Sequence, residues 1–345
     1  MLRRRLLPAL AALLAAACAA PAAASAATVE VPVTFQVRNT NTSGVPCPAD
    51  GRTYALRGHL VGPAERLTSP DPGAVALYAH GLAYGEFFWN FKAVPGYDYA
   101  RQQADERGLV SVVVDRLGYG ASGRPYGKSV CIGSEADYLH QVVQQLRRGS
   151  YTVGFGAPPS FSKVALVGHS LGGFMVEVAA ATYRDVDALV VAGLSNLGSS
   201  LLTYATFTRN TLDCLLFPRP DGRAWFGATA ADFRAGHLFD VDPAVADAVT
   251  ARRAPDPCGD TSSAIPAIVL DVLRNGTIEV PVLLAHGAND ALFPPPAGPL
   301  ERALFLGSQD VTQVTLPRTG HAMTLGRTSP AFRATVGDWL VARGF

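Results

Sequence analysis

The chain has 345 residues, with 29 Lys and Arg against 28 Asp and Glu and a formal net charge of +1. No basic stripe stands out, so nucleic-acid binding has no electrostatic support. Hydrophobic residues make up 48% of the chain, and no linker-like stretch divides it. That suits one large core with an insertion.

Residues 1–26 read as a secretory signal peptide. Arg3, Arg4 and Arg5 form a basic start, Leu6 to Ala20 an apolar stretch, and Ala24-Ser25-Ala26 a small-residue cleavage site. Removing this segment takes away three arginines and no acid, which leaves a mature charge of −2. Pro8 and Pro21 interrupt the apolar stretch and no stop-transfer cluster follows, so stable membrane insertion is not expected. Ala15-Ala16-Ala17-Cys18 resembles a lipoprotein cleavage box without its usual leucine, so anchoring at Cys18 is the lesser expectation.

Val29–Val37 alternates apolar and polar residues as an edge strand does, and Tyr54–Val61 reads as its antiparallel partner. The pattern then changes. Residues 74–79, 110–114, 163–167, 188–192 and 282–285 are short, nearly continuous apolar runs, as in strands of a parallel sheet covered on both faces. Asp310–Leu316 is a further strand. Helical patterns lie over 97–107, 134–148, 171–184, 297–306 and 329–342. The second of these is expected to open on a Ser134-x-x-Asp137 capping box. This alternation gives an α/β fold with a mostly parallel sheet.

Residues 197–277 break the rhythm. A structureless loop of that length would be improbable. Asp242-Pro243 opens one helical piece and Ser262–Asn275 is another, so the segment reads as a helical cap inserted into a core of 27–196 and 278–345. Leu201, Leu202, Tyr204, Phe207, Leu215, Leu216 and Phe217 are expected to bury against that core, some of them lining a substrate cavity.

Cys47, Cys131, Cys214 and Cys258 remain after the leader, and four cysteines in an exported chain suggest two disulfides. Cys214–Cys258 is favoured because both lie in the insertion, with Cys47–Cys131 following by elimination. No C-x-x-C or H-x-x-x-H spacing points to a metal.

The chemistry centres on Gly168-His169-Ser170-Leu171-Gly172, between a strand and a helix. The two glycines allow a turn tight enough to hold Ser170 out of the backbone at the head of the helix. A serine hydroxyl needs a base, and the base an orienting acid. His321 follows the last strand and can supply the first. Asp290 follows the next-to-last strand and can supply the second. Asp115 is the rival acid, but it precedes Ser170 and better suits a turn or a loop-ordering salt bridge. Backbone N–H groups of Leu82 and Leu171 are the candidate oxyanion donors. Tyr84, Phe87, Phe88 and Trp89 are the candidate pocket residues.

Together, His80-Gly81, Asp115-Arg116-x-Gly118-Tyr119-Gly120-x-Ser122, Gly168–Gly173, His286-Gly287-x-x-Asp290 and Gly320-His321 resemble the α/β-hydrolase superfamily from about residue 74 onward. The resemblance implies esterase- or lipase-like hydrolysis by a Ser170–Asp290–His321 triad through an acyl-enzyme. It implies no metal or organic cofactor, and a small-molecule or lipid-like ester as substrate. Serine at 170 speaks against the branches that use aspartate there. Amide, lactone or C–C cleavage would use the same triad, and a non-catalytic binding protein would not need it intact.

Overall fold

The structure is a computed structural model that describes residues 27–154 and 156–345. The expected leader, residues 1–26 with Cys18, lies outside the described residues.

Two long strands open the fold, β1 (Thr28–Arg38) and β2 (Thr53–Pro63), paired antiparallel from Thr28 opposite Pro63 to Arg38 opposite Thr53. Helix α1 (Ala64–Leu67), β3 (Ala74–Ala79), α2 (Tyr99–Arg107), β4 (Ser111–Val114), α3 (Ile132–Arg148) and β5 (Thr152–Val153) follow. Then come β6 (Lys163–His169), α4 (Leu171–Tyr183) and β7 (Ala188–Ala192). Between β7 and the next strand of the main sheet lie α5 (Leu201–Leu216), β8 (Arg223–Ala224), α6 (Ala230–His237), α7 (Pro243–Arg252), β9 (Asp256–Pro257) and α8 (Cys258–Arg274), in the segment expected to be an insertion. The chain closes with β10 (Val282–Gly287), α9 (Ala297–Arg302), β11 (Val311–Leu316) and α10 (Ser329–Val341).

Nine strands form one sheet in the order β11-β10-β7-β6-β3-β4-β2-β1-β5. The six from β11 to β4 run parallel, and β2, β1 and β5 add antiparallel pairings at one side. The parallel strands separate their side chains by parity. On β3, Val75, Leu77 and Ala79 enter one core cluster, while Ala76 and Tyr78 enter the other. On β6, Val164 and Leu166 divide from Ala165 and Val167 in the same way. Both faces are therefore dry, which explains the continuous apolar runs.

Helix α3 starts earlier than its sequence suggests. Cys131 is the N-cap, and its N–H donates to Ser134 Oγ at 3.2 Å, so Ser134 sits in the first turn instead of before it. Cys131 is bonded to Cys47 with a Cα–Cα distance of 6.3 Å, which pins the loop after β1 to this helix start. Cys214 and Cys258 are bonded with Cα atoms 5.6 Å apart, joining the end of α5 to the start of α8.

The expected burial of the first part of the insertion is overturned. Leu201, Leu202, Tyr204, Leu215, Leu216 and Phe217 are exposed, Leu201 at 87%. Helix α5 instead turns Thr203, Phe207, Asn210 and Cys214 inward, a stripe with helical spacing that carries few aliphatic side chains. Threonine and asparagine can occupy it because their side-chain oxygens find partners, although Asn210 Nδ2 is buried without one. Thr203 Oγ1 donates to Leu292 O at 2.6 Å, and Asn210 Oδ1 accepts from Thr261 Oγ1.

Candidate active site

Ser170 is the hinge between β6 and α4, with φ 54° and ψ −123°. A non-glycine residue there stores roughly 1–3 kcal/mol, held by the surrounding structure. A side chain at Gly168 would collide with the Gly172 carbonyl, and one at Gly172 with the Ala79 carbonyl. The turn is fixed by Ser170 N–H donating to Ala192 O at 2.9 Å and Gly173 N–H donating to Ser170 O at 2.7 Å.

Parallel pairing brings the other groups to the same edge. Ala79 lies opposite Gly168, His169 opposite Ala192, and Ala285 opposite Ala192. The loops after β3, β6, β7, β10 and β11 thus leave the sheet at its carboxyl edge, where sites of such sheets form. A side chain at Gly81 would come within 2.8 Å of Ser170 Cβ, so the loop after β3 lies directly on the serine. No hydrogen bond of the described residues uses the N–H of Leu82 or Leu171.

His321 Nδ1 and Asp290 Oδ2 are 2.9 Å apart and fully buried. A carboxylate only accepts, so Nδ1 carries the proton and Nε2 is left with its lone pair. Nε2 is buried and has no partner; Ser170 Oγ does not bond to it here. Asp290 Oδ1 accepts the N–H groups of Leu292 at 2.8 Å and Phe293 at 3.1 Å, so its own loop holds the carboxylate in place. The His321 ring faces Phe293, with centroids 5.8 Å apart, and Phe293 borders the space beside Ser170.

Four further buried histidines lie around this edge. Burial drives His80, His169, His237 and His286 below the usual histidine range, which keeps them neutral. His169 Nε2 donates to the His321 carbonyl at 2.9 Å, while its ring stacks on Phe88 at 4.1 Å. His237, which no sequence pattern singles out, lies 5.1 Å from His321 ring to ring and bonds Tyr84 Oη through Nδ1 at 2.9 Å. Its place at the end of an inserted helix carries no motif. Asp115 holds turns, accepting from Glu86 N–H and Ala121 N–H at 2.8 Å each.

The expected pocket residues are displaced. Tyr84, Phe88 and Trp89 are buried in the core cluster on one face of the sheet, with Phe87 packed against it. Three large rings in succession fill the interior there. Phe174, Phe207, Phe226, Phe293, Leu194 and Leu292 line the space at Ser170 instead. That space holds about 10 Å³, roughly one water. It shares Phe174, Thr203, Phe207 and Phe293 with a cleft of about 270 Å³ between α5 and α8 that opens to solvent.

Among the described residues, one group could hold a metal: Glu30, His59 and Glu86, whose ligand atoms lie within 4.8 Å of one another. Lys92 and Asn90 already occupy those carboxylates, so the group reads as an ion-pair network. No described helix is long and apolar enough to cross a membrane.

Similar solved structures include a monoacylglycerol lipase from Paleococcus ferrophilus, at 18% identity and a TM-score of 0.55, covering 81% of this chain and 97% of that one. A thermophilic esterase from Thermogutta terrifontis matches at 18% identity and 0.59, covering 90% and 100%. A putative aryl esterase from Burkholderia cenocepacia matches at 19% and 0.59, covering 90% and 98%. A search of curated proteins finds no match. At these identities the likeness is one of fold. The sequence itself carries the assignment further: residues 76–334 match the alpha/beta hydrolase family, and the chain belongs to it.

Proposed function

We propose that this hydrolase is a secreted serine esterase that cleaves esters with an apolar acyl or aryl part. Ser170 Oγ attacks the ester carbonyl while its proton passes to His321 Nε2. The oxyanion is received by the N–H groups of Leu82 and Leu171, each worth about 3–4 kcal/mol of transition-state stabilisation. His321 then protonates the leaving alkoxide. In the second half, water gives a proton to His321 and its oxygen to the acyl carbon, and Ser170 recovers its proton as the acid leaves.

The observation that carries this reading is the buried His321–Asp290 pair with Nε2 unpartnered, at the sheet edge where Ser170 is held at positive φ. Asp290 fixes the tautomer that leaves Nε2 basic. The aromatic and leucine lining beside Ser170 favours an apolar substrate part over a charged one. Residues 197–277 act as a lid: the space at Ser170 is too small for an acyl group, so Phe207 of α5 and Phe226 have to move on binding. Export is supported by the leader-like residues 1–26 and by the two disulfides.

A panel of esters of graded acyl length, beside matched amides and lactones, tests the bond type. The esters should exceed the amides by orders of magnitude in kcat/KM. Amide or lactone turnover above ester turnover would overturn the assignment.

A further inference from the structure

Asp256 has no role in the proposed reaction, yet it is a fully buried carboxylate, 1% exposed, on the inserted strand β9. A buried carboxylate is costly unless it is well hydrogen-bonded. Three donors serve this one. Oδ1 accepts the N–H of Ala83 at 2.6 Å and the hydroxyl of Tyr119 at 2.7 Å, and Oδ2 accepts the N–H of Phe226 at 3.1 Å. Ala254 N–H also donates to Ala83 O at 3.1 Å. The insertion therefore grips both polar groups of a single residue in the loop after β3.

That residue is strained. Ala83 has φ 65°, in the left-handed region that alanine rarely adopts. It directly follows Leu82, whose N–H lies in the Gly81–Leu82 peptide unit and is one of the proposed oxyanion donors, so fixing Ala83 fixes the far side of Leu82 and limits how that preceding unit can turn. Without an acceptor at Ala83 N–H, relaxation of Ala83 toward an ordinary conformation would rotate the preceding backbone.

A buried chain of polar groups backs the carboxylate. Arg116 donates to Tyr119 Oη at 2.7 Å, and its guanidinium is paired with Glu135 at 2.8 Å and Asp260 at 3.1 Å. Burial raises the Asp256 carboxyl to about 6, against the pull of its donors and of Arg116. The Arg116 and Tyr119 positions of the 115–122 segment, which the proposed reaction leaves unused, thereby acquire a purpose.

The geometry assigns Asp256 as a positioning residue that holds the Ala83 turn, and through it the Leu82 amide, in the orientation that receives the oxyanion. This rests on the serine esterase reading of the site. It makes the insertion part of the catalytic geometry as well as a cover: the segment that carries Phe226 to the space at Ser170 also carries the residue that shapes the oxyanion loop.

The test compares wild type with D256A and D256N on a p-nitrophenyl ester of a short acid, each assayed well below its own Tm. A trifluoromethyl ketone that forms a tetrahedral adduct with the serine serves as a second probe. D256A should lose about 10²-fold in kcat, the scale of one oxyanion donor, with KM within about twofold. Its affinity for the ketone should fall in parallel with kcat. D256N, which keeps one acceptor oxygen for Ala83, should lose about tenfold and rescue most of the ketone affinity. A merely structural tie between insertion and core would lower Tm and move KM while leaving kcat and ketone affinity within threefold of wild type; that result in D256N, or in D256A should it fold, overturns the proposal. Labelling of wild-type Ser170 by a fluorophosphonate separates the two failures. If Ser170 is labelled and the Asp256 variants turn over like wild type, only the positioning role falls. If Ser170 is not labelled, the esterase reading falls and the positioning role with it.

Discussion

His321 Nδ1 donates to Asp290 Oδ2 at 2.9 Å across 31 residues of sequence, and the other ring nitrogen is buried without a partner. Asparagine at 290 would present its amide nitrogen or reverse the ring tautomer. D290N should therefore lose about 10⁴-fold in kcat with little change in fold. D115N should instead lower thermal stability, because Asp115 closes two backbone turns. Steady-state kinetics and melting curves of both variants decide the matter, and an inactive D115N beside an active D290N would reverse the assignment.

The two sets of aromatic rings make opposite predictions. F207A should open the space at Ser170 and shift preference toward longer acyl chains by about tenfold in relative kcat/KM. F88A should cost about 3–5 kcal/mol of stability, the range for a buried ring cut to alanine. Chain-length profiles and urea unfolding give the two readouts. An unchanged profile in F207A would remove Phe207 from the acyl path.

The parallel core was legible in the sequence, and the three side chains proposed as a triad were singled out there, because each leaves a local mark. Buried strands such as Val164–Val167 are continuous apolar runs, and Ser170 sits between glycines that nothing larger could replace. The insertion left weaker marks. Helix α5 turns Thr203, Asn210 and Cys214 inward and Leu201, Leu215 and Leu216 outward, so its hydrophobic residues point the wrong way for inference. Tyr84, Phe88 and Trp89 lie close to Leu82 in sequence, but packing sends them into the core on one face of the sheet. His237 and Asp256 are tied to the loop after β3 by contacts 153 and 173 residues away, which no local pattern encodes.

The bond between Cys214 and Cys258 closes 44 residues, worth about 4 kcal/mol in the chain-entropy account. C214S/C258S should lower Tm and raise KM while leaving Ser170 reactive to a fluorophosphonate. Peptide mapping without reductant should find Cys47 joined to Cys131 and Cys214 to Cys258. Cross-pairing between the two sets would refute this arrangement.

Stability should fall as pH rises above about 5. Burial lifts Glu177 and Asp271 well above the carboxylate range, and Glu301 upward as well. Around them Asn196 and Asn275 donate to Glu177, and Asn196 also to Glu301. With folded values raised, the native state holds protons that the unfolded chain has released. The stabilisation is complete below the unfolded carboxylate range, near 4, and is lost as pH climbs through the folded values. D271N, a neutral group of the same shape, should flatten that decline. Calorimetric Tm from about pH 5 to pH 9 checks it, and an equally steep decline in D271N would exclude the cluster as its source.

The activated serine is the claim on which the rest depends, and covalent labelling reaches it most directly. Wild type treated with a fluorophosphonate and read by intact mass and peptide mapping should carry one adduct, on Ser170. S170A should carry none and should lose roughly 10⁴–10⁶-fold in kcat on the best ester. An unlabelled Ser170, an adduct on another residue, or an S170A variant keeping a tenth of wild-type turnover would contradict the account.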